Sequence, residues 1–216
     1  MYLLGLFVGI NISNWLASIS SDKTPEWLAF LFKMLPFQLV PLFAVLRALK
    51  ADIEIDGIKR IFDIPQKLRL RHFACVPFLL VIIYLLATIA NCLMGLILQA
   101  LDISTAPQGL VSQFQENQST GFRIVFLLST AFVAPICEEI LMRIVLFRTI
   151  RYYLPTFAAF LTSLAFAAMH LNLQYLPALW IVGYSCQMAR RHGGLPAAIA
   201  LHALYNFCTV LTLWLA

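Results

Sequence analysis

Between Arg71 and Asp102 the chain carries no Asp, Glu, Lys or Arg. An uncharged apolar stretch of that length exceeds the roughly 20 residues an α-helix needs to cross a bilayer. It is one of seven apolar segments, at residues 2–19, 27–49, 73–100, 122–148, 155–170, 172–189 and 195–215. Backbone polar groups in lipid must be satisfied within their own element. The pattern therefore predicts an all-α fold, a polytopic membrane bundle of about seven transmembrane helices. Composition agrees: 62% of the 216 residues are apolar and 12% charged, against about half and about a quarter in a soluble domain. No Lys or Arg precedes the first segment, so a membrane helix is expected there and not a secretory signal.

The basic residues predict an orientation. Lys50, Lys59, Arg60, Lys67, Arg69 and Arg71 crowd the loop 50–72, and basic loops stay cytoplasmic. Alternation then places the N-terminus in the cytoplasm and the C-terminus on the opposite side. Arg47, Arg148, Arg151, Arg190 and Arg191 join the cytoplasmic boundary, while Lys23, Lys33 and Arg123 lie outward. The pI near 9.1 is thus a topological signal, and no nucleic-acid partner is expected. Ile53, Ile55, Ile58, Ile61 and Phe62 interleave with the charges of the loop, which predicts an interfacial helix on anionic lipid. The five cysteines form no CxxC pair and read as small buried side chains.

Ionisable groups at membrane depth are costly, and each is a functional candidate. Here they are Glu138, Glu139, Arg143, His170 and His202, with the polar Asn206. All lie late in the chain. That divides it into N-terminal membrane helices with a basic cytoplasmic loop, 1–120, and a catalytic core, 121–216. Glu139 and Arg143 are spaced i,i+4 and face each other on one helix. Glu138 is turned about 100° away and is left without that cation. A desolvated carboxylate without a cation is a stronger base than one in water, and proton abstraction from water needs such a base. His202 and Asn206 again share a helical face. A carboxylate base, two imidazoles and an amide form a coherent hydrolytic set. Glu138 would take a proton from water, and His170 would orient that water or help bind a metal. His202 and Asn206 would donate to a tetrahedral oxyanion. One common site sets a depth condition. Glu138 lies about 15 Å along its helix from Arg148, and His170 about 22 Å from Pro155. The 155–170 helix must therefore tilt or begin deeper than Pro155.

The three groupings resemble known motifs. Glu138-Glu139 with Arg143 reads as EExxxR, Phe166 with His170 as FxxxH, and His202 with Asn206 as HxxxN. Their order and spacing over about residues 120–210 resemble the CPBP family of CAAX proteases and bacteriocin-processing enzymes, also called ABI. The resemblance implies an integral-membrane endopeptidase acting on a peptide with a membrane-anchored or lipidated end. Glu138 and His170 would act on water, His202 and Asn206 on the oxyanion, with Glu139, Arg143 and Phe166 in support. A divalent metal such as zinc, held by Glu138, His170 and His202, is the alternative form of the same site, since zinc hydrolases keep three protein ligands and a water. No HExxH is present. A second class is a non-catalytic transporter, proton carrier or scaffold built on the same buried groups.

Overall fold

The computed structural model describes residues 2–20, 24–103 and 109–215, and among these there is no strand. The helices are α1 (Tyr2–Ile19), α2 (Glu26–Ala48), α3 (Lys50–Asp56), α4 (Ile58–Ile61), α5 (Cys75–Ala100) and α6 (Gly109–Glu116). There follow α7 (Thr120–Leu128), α8 (Ala134–Ile140), α9 (Phe147–Tyr153), α10 (Ala158–Ala168) and α11 (Leu176–Leu215). Four helical stretches among the described residues are long and apolar enough to cross a membrane: Glu26–Ala48, Leu70–Ala100, Thr120–Tyr153 and Leu176–Leu215. Gly5–Ile19 and Ala158–Ala168 are shorter apolar helices.

Each of the seven expected segments is helical, with three differences. The segments expected at 172–189 and 195–215 are two helices, as expected, but they abut within α11 with no linker, meeting at Gly194, whose φ of 73° and ψ of −171° are not helical. A positive φ of this size is open to glycine at little steric cost. The segment expected at 155–170 is helical only over Ala158–Ala168. The helix therefore starts three residues later than Pro155 and stops before His170, which accounts for about 4.5 Å of the depth mismatch. Third, the stretch Thr120–Tyr153 is not a regular helix. Wide π-helical turns at Ser129–Val133 and Leu141–Leu146 bracket α8. Pro135 stands at the start of α8, where a ring without an N–H is incompatible with a regular helix running in from the preceding turn.

The loop 50–72 is half docked and half exposed. Ile61 and Phe62 are buried against Val45, Ile140, Leu141, Ile144 and Leu195. Ile55, Ile58, Leu68 and Leu70 remain exposed. The expected single interfacial helix is replaced by α3, α4 and a short turn at Leu70–Phe73, because the buried pair folds the chain back under the bundle. Asp63 fixes the turn: its carbonyl accepts from Leu195 N (3.2 Å), and its Oδ2 meets Arg190 Nε (3.1 Å). Arg148 donates to the Ile61 carbonyl. A side chain at Gly193 or Gly194 would strike the backbone of this loop, at His72 O (1.9 Å) or Asp63 O (2.1 Å).

The loop, Arg148 and Arg190 thus gather at one end of the bundle. At other contacts Asn117 Nδ2 donates to Glu26 Oε2 (2.6 Å), and Arg123 Nε donates to Asn117 O (3.2 Å). Lys23 lies outside the described residues. An aromatic group, Phe30, Phe114, Phe122 and Phe126, closes around Val210. A second core joins α5, α10 and α11 through Ile83, Phe166, Val182, Cys186 and Leu201. These two cores hold α11 against the Thr120–Tyr153 stretch.

Candidate active site

The site forms where α8 packs between α11 and α2, with α10 against α11. On α8, Glu139 is fully buried, and so is Arg143 one turn on. Arg143 Nε donates to Glu139 Oε2 (2.7 Å), and its Nη2 donates to Oε1 (3.3 Å). The same Nη2 donates to the Gly183 carbonyl on α11 (3.0 Å). Two buried charges at this distance cancel locally, and the extra acceptor offsets their desolvation. Gly183 lets α10 come close: a Cβ there would stand 3.2 Å from the Phe166 ring and from Ser163 Cα.

His202 on α11 lies between the two glutamates. Its Nδ1 is 3.1 Å from Glu139 Oε1, and its Nε2 is 3.8 Å from Glu138 Oε2. Glu139 thereby fixes the ring, a carboxylate–imidazole arrangement that selects which nitrogen faces the chemistry. Nε2 is the nitrogen left facing Glu138. Glu138 differs from its neighbour. Its side chain is 19% exposed, and it accepts a hydrogen bond from Gln38 Nε2 on α2 (3.3 Å).

Phe166 ties the second motif to the third. Its ring stands edge-on to both His170 (4.9 Å between centroids) and His202 (5.4 Å). His170 is not on a helix, as the sequence suggests, but in the turn after α10, with an exposed side chain. Its Nδ1 lies 2.9 Å from the Phe166 carbonyl. A carbonyl can only accept, so Nδ1 carries the proton there and Nε2 is free to accept one. Asn206, one turn after His202, donates from Nδ2 to the Thr130 carbonyl (2.9 Å). That carbonyl belongs to the first π-helical turn, where the backbone departs from the regular ladder. Tyr84 on α5 steadies this part of α11 by donating to Tyr205 O (2.9 Å).

Glu138, Glu139, Arg143, Phe166 and His202 are thus one contiguous group, with His170 beyond the Phe166 ring and Asn206 one turn further along α11. Of the expected metal ligands, Glu138 and His202 face each other, and His170, held through Nδ1 by the Phe166 carbonyl, keeps its Nε2 free, but among the described residues the three do not form a group with ligating atoms within 4.8 Å of one another. Among the described residues the group with three ligating atoms within 4.8 Å is Glu139, Cys186 and His202. It fits a divalent cation poorly, because Arg143 already occupies both oxygens of Glu139 and would stand beside the ion. Cys186 enters this group from a position the sequence marks only as a small buried residue. Gln38 is also absent from the sequence reading. Its signal is faint: an uncharged polar residue in the middle of an apolar helix. Cys137 is buried beside Glu138 and lacks the exposure a reactive thiolate requires.

Residues 120–208 match a family model described as type II CAAX prenyl endopeptidase Rce1-like. The matched region includes all three motifs and bears out the resemblance to the CAAX protease family. Neither a curated protein nor a solved structure matches the chain.

Proposed function

We propose, from the premise of an Rce1-like segment at 120–208, that this chain is an intramembrane endopeptidase hydrolysing a peptide bond near a prenylated C-terminus. The observation that carries the reading is the pair Glu138 and His202, held by Glu139 and Arg143 yet leaving Glu138 partly exposed. One carboxylate is consumed by structure and the other is kept for chemistry.

In this mechanism water enters between Glu138 and His170. Glu138 takes one proton, helped by the free Nε2 of His170, and the hydroxide attacks the scissile carbonyl carbon. The developing oxyanion receives the second N–H of Asn206, whose first is held by Thr130, and an Nε2–H from His202 in its doubly protonated form, since the Nδ1–H is already held by Glu139. Donors fixed before reaction cost no reorganisation when the charge appears. Glu138 then returns its proton to the leaving amine as the C–N bond breaks. A metal has no step here. We read the chain as crossing the membrane seven times with its N-terminus cytoplasmic, which puts the substrate within reach of the inner leaflet.

The test is purified protein in detergent with a prenylated peptide, comparing wild type, Glu138→Gln and Asn206→Ala. The expected result is cleavage by wild type, none by Glu138→Gln, and a loss of about a hundredfold or more for Asn206→Ala, at unchanged melting temperature. Full activity in Glu138→Gln would end this mechanism. Near-normal activity in Asn206→Ala would remove its oxyanion role and leave His202 as the donor, whereas no cleavage by wild type would favour the proton-carrier reading.

A further inference from the structure

Gln38 lies outside the matched segment 120–208 and outside all three motifs, yet it reaches the carboxylate those motifs exist to present. It sits in α2, whose other polar side chains are Glu26, Lys33 and Arg47. Gln38 is buried. A buried amide in an otherwise apolar membrane helix is costly without a partner, and the partner of its Nε2 is Glu138 Oε1 at 3.3 Å. The backbone around it is also unusual. Pro36 and Pro41 flank Gln38 within the helix, and each removes an N–H from the ladder. α1 presses directly on this stretch: a Cβ at Gly9 would lie 2.7 Å from Pro36 O. The turn carrying Gln38 thus lies between two prolines and is packed from behind.

We propose that Gln38 is a positioning residue for Glu138, which rests on the reading of Glu138 as the base that activates water. The two oxygens of Glu138 then have distinct jobs. Oε1 is held by Gln38, and Oε2 faces His202. A carboxylate free to rotate about its terminal bond presents its basic oxygen in the reactive direction only part of the time. A carboxylate anchored through one oxygen presents the other continuously. Misplacement of a reacting group by about 1 Å costs on the order of a hundredfold in rate. This gives the N-terminal helices a part in the chemistry.

The test is Gln38→Met, which keeps length and apolar packing and removes the donor, with Leu39→Met as a control on the exposed side of α2. Kinetics with a prenylated peptide are combined with infrared difference spectra, in which the Glu138 carboxylate band is the one lost in Glu138→Gln. The expected result is a fall in kcat of roughly ten- to a hundredfold, an unchanged KM, an unchanged melting temperature and a shifted Glu138 band. Wild-type kcat in Gln38→Met, or a kcat loss matched by a lower melting temperature and an unshifted band, would overturn the proposal. If Glu138→Gln is inactive while Gln38→Met is not, only the role of Gln38 falls. If Glu138→Gln cleaves like wild type, the protease mechanism fails and Gln38 falls with it.

Discussion

Glu138 and Glu139 are adjacent in sequence and opposite in circumstance. Glu139 is enclosed, neutralised by Arg143 and bonded to His202. Glu138 is partly open and held by a neutral amide. The 100° step between successive helical residues makes this division legible from sequence, as does the i,i+4 spacing of Glu139 and Arg143. The anchor at Gln38 was not legible, because an amide in an apolar run carries no mark of its partner a hundred residues away. Removing one member of the buried pair should be far worse than removing both. Arg143→Met or Glu139→Gln alone should destabilise the protein by about 3–5 kcal/mol, since each strands a buried charge or its donors. The double variant should recover much of that loss. Denaturant unfolding in detergent, followed by tryptophan fluorescence, measures all three.

At the scale of elements, apolar runs located the helices, but their irregularities had to be seen. The sequence places His170 on a helix, whereas α10 ends at Ala168 and the histidine sits in a turn against Phe166. The two π-helical turns leave no periodic trace, because the stretch around them is apolar on nearly every side and a one-residue phase jump needs polar positions to show. The break at Gly194 was marked only by a Gly-Gly pair next to a proline. That break is sterically required: the positive φ and the contact with Asp63 both exclude a side chain. Gly194→Ala should cost at least about 1–2 kcal/mol, seen as a lower melting temperature in micelles. Gly57 has a similar φ of 80° but nothing near its hydrogen position. Gly57→Ala should therefore cost less, which separates backbone strain from the clash.

For the whole molecule, charge asymmetry predicted which segments share an end. The docking of loop 50–72 onto Arg148 and Arg190 shows three distant stretches meeting there. What the sequence could not reveal is that Ile61 and Phe62 turn inward while Ile55 and Ile58 stay out. Alternating isoleucines along a short amphipathic stretch do not say which of them another helix will cover. The proposed orientation makes this end cytoplasmic. In a variant with the five native cysteines replaced and His192→Cys introduced, a membrane-impermeant maleimide should label only from the cytoplasmic side, in inverted vesicles and not in right-side-out ones. The reverse pattern would invert the proposed topology.

The π-helical turns also bear on how such a chain can change length. A wide turn is a helix that has absorbed one surplus residue without passing the phase error downstream. Elsewhere in Thr120–Tyr153, a single deletion would swing every later side chain by about 100° and carry Glu138 away from His202. Within Leu141–Leu146, a deletion could be taken up by restoring the ordinary pitch. Within Ser129–Val133 the same repair is opposed by Pro135, whose ring has no place in a regular helix. Insertions and deletions in the helix that carries Glu138 are therefore expected to be tolerated unevenly. One window can breathe, one is locked by a proline, and the remainder keeps Glu138 in register with His202.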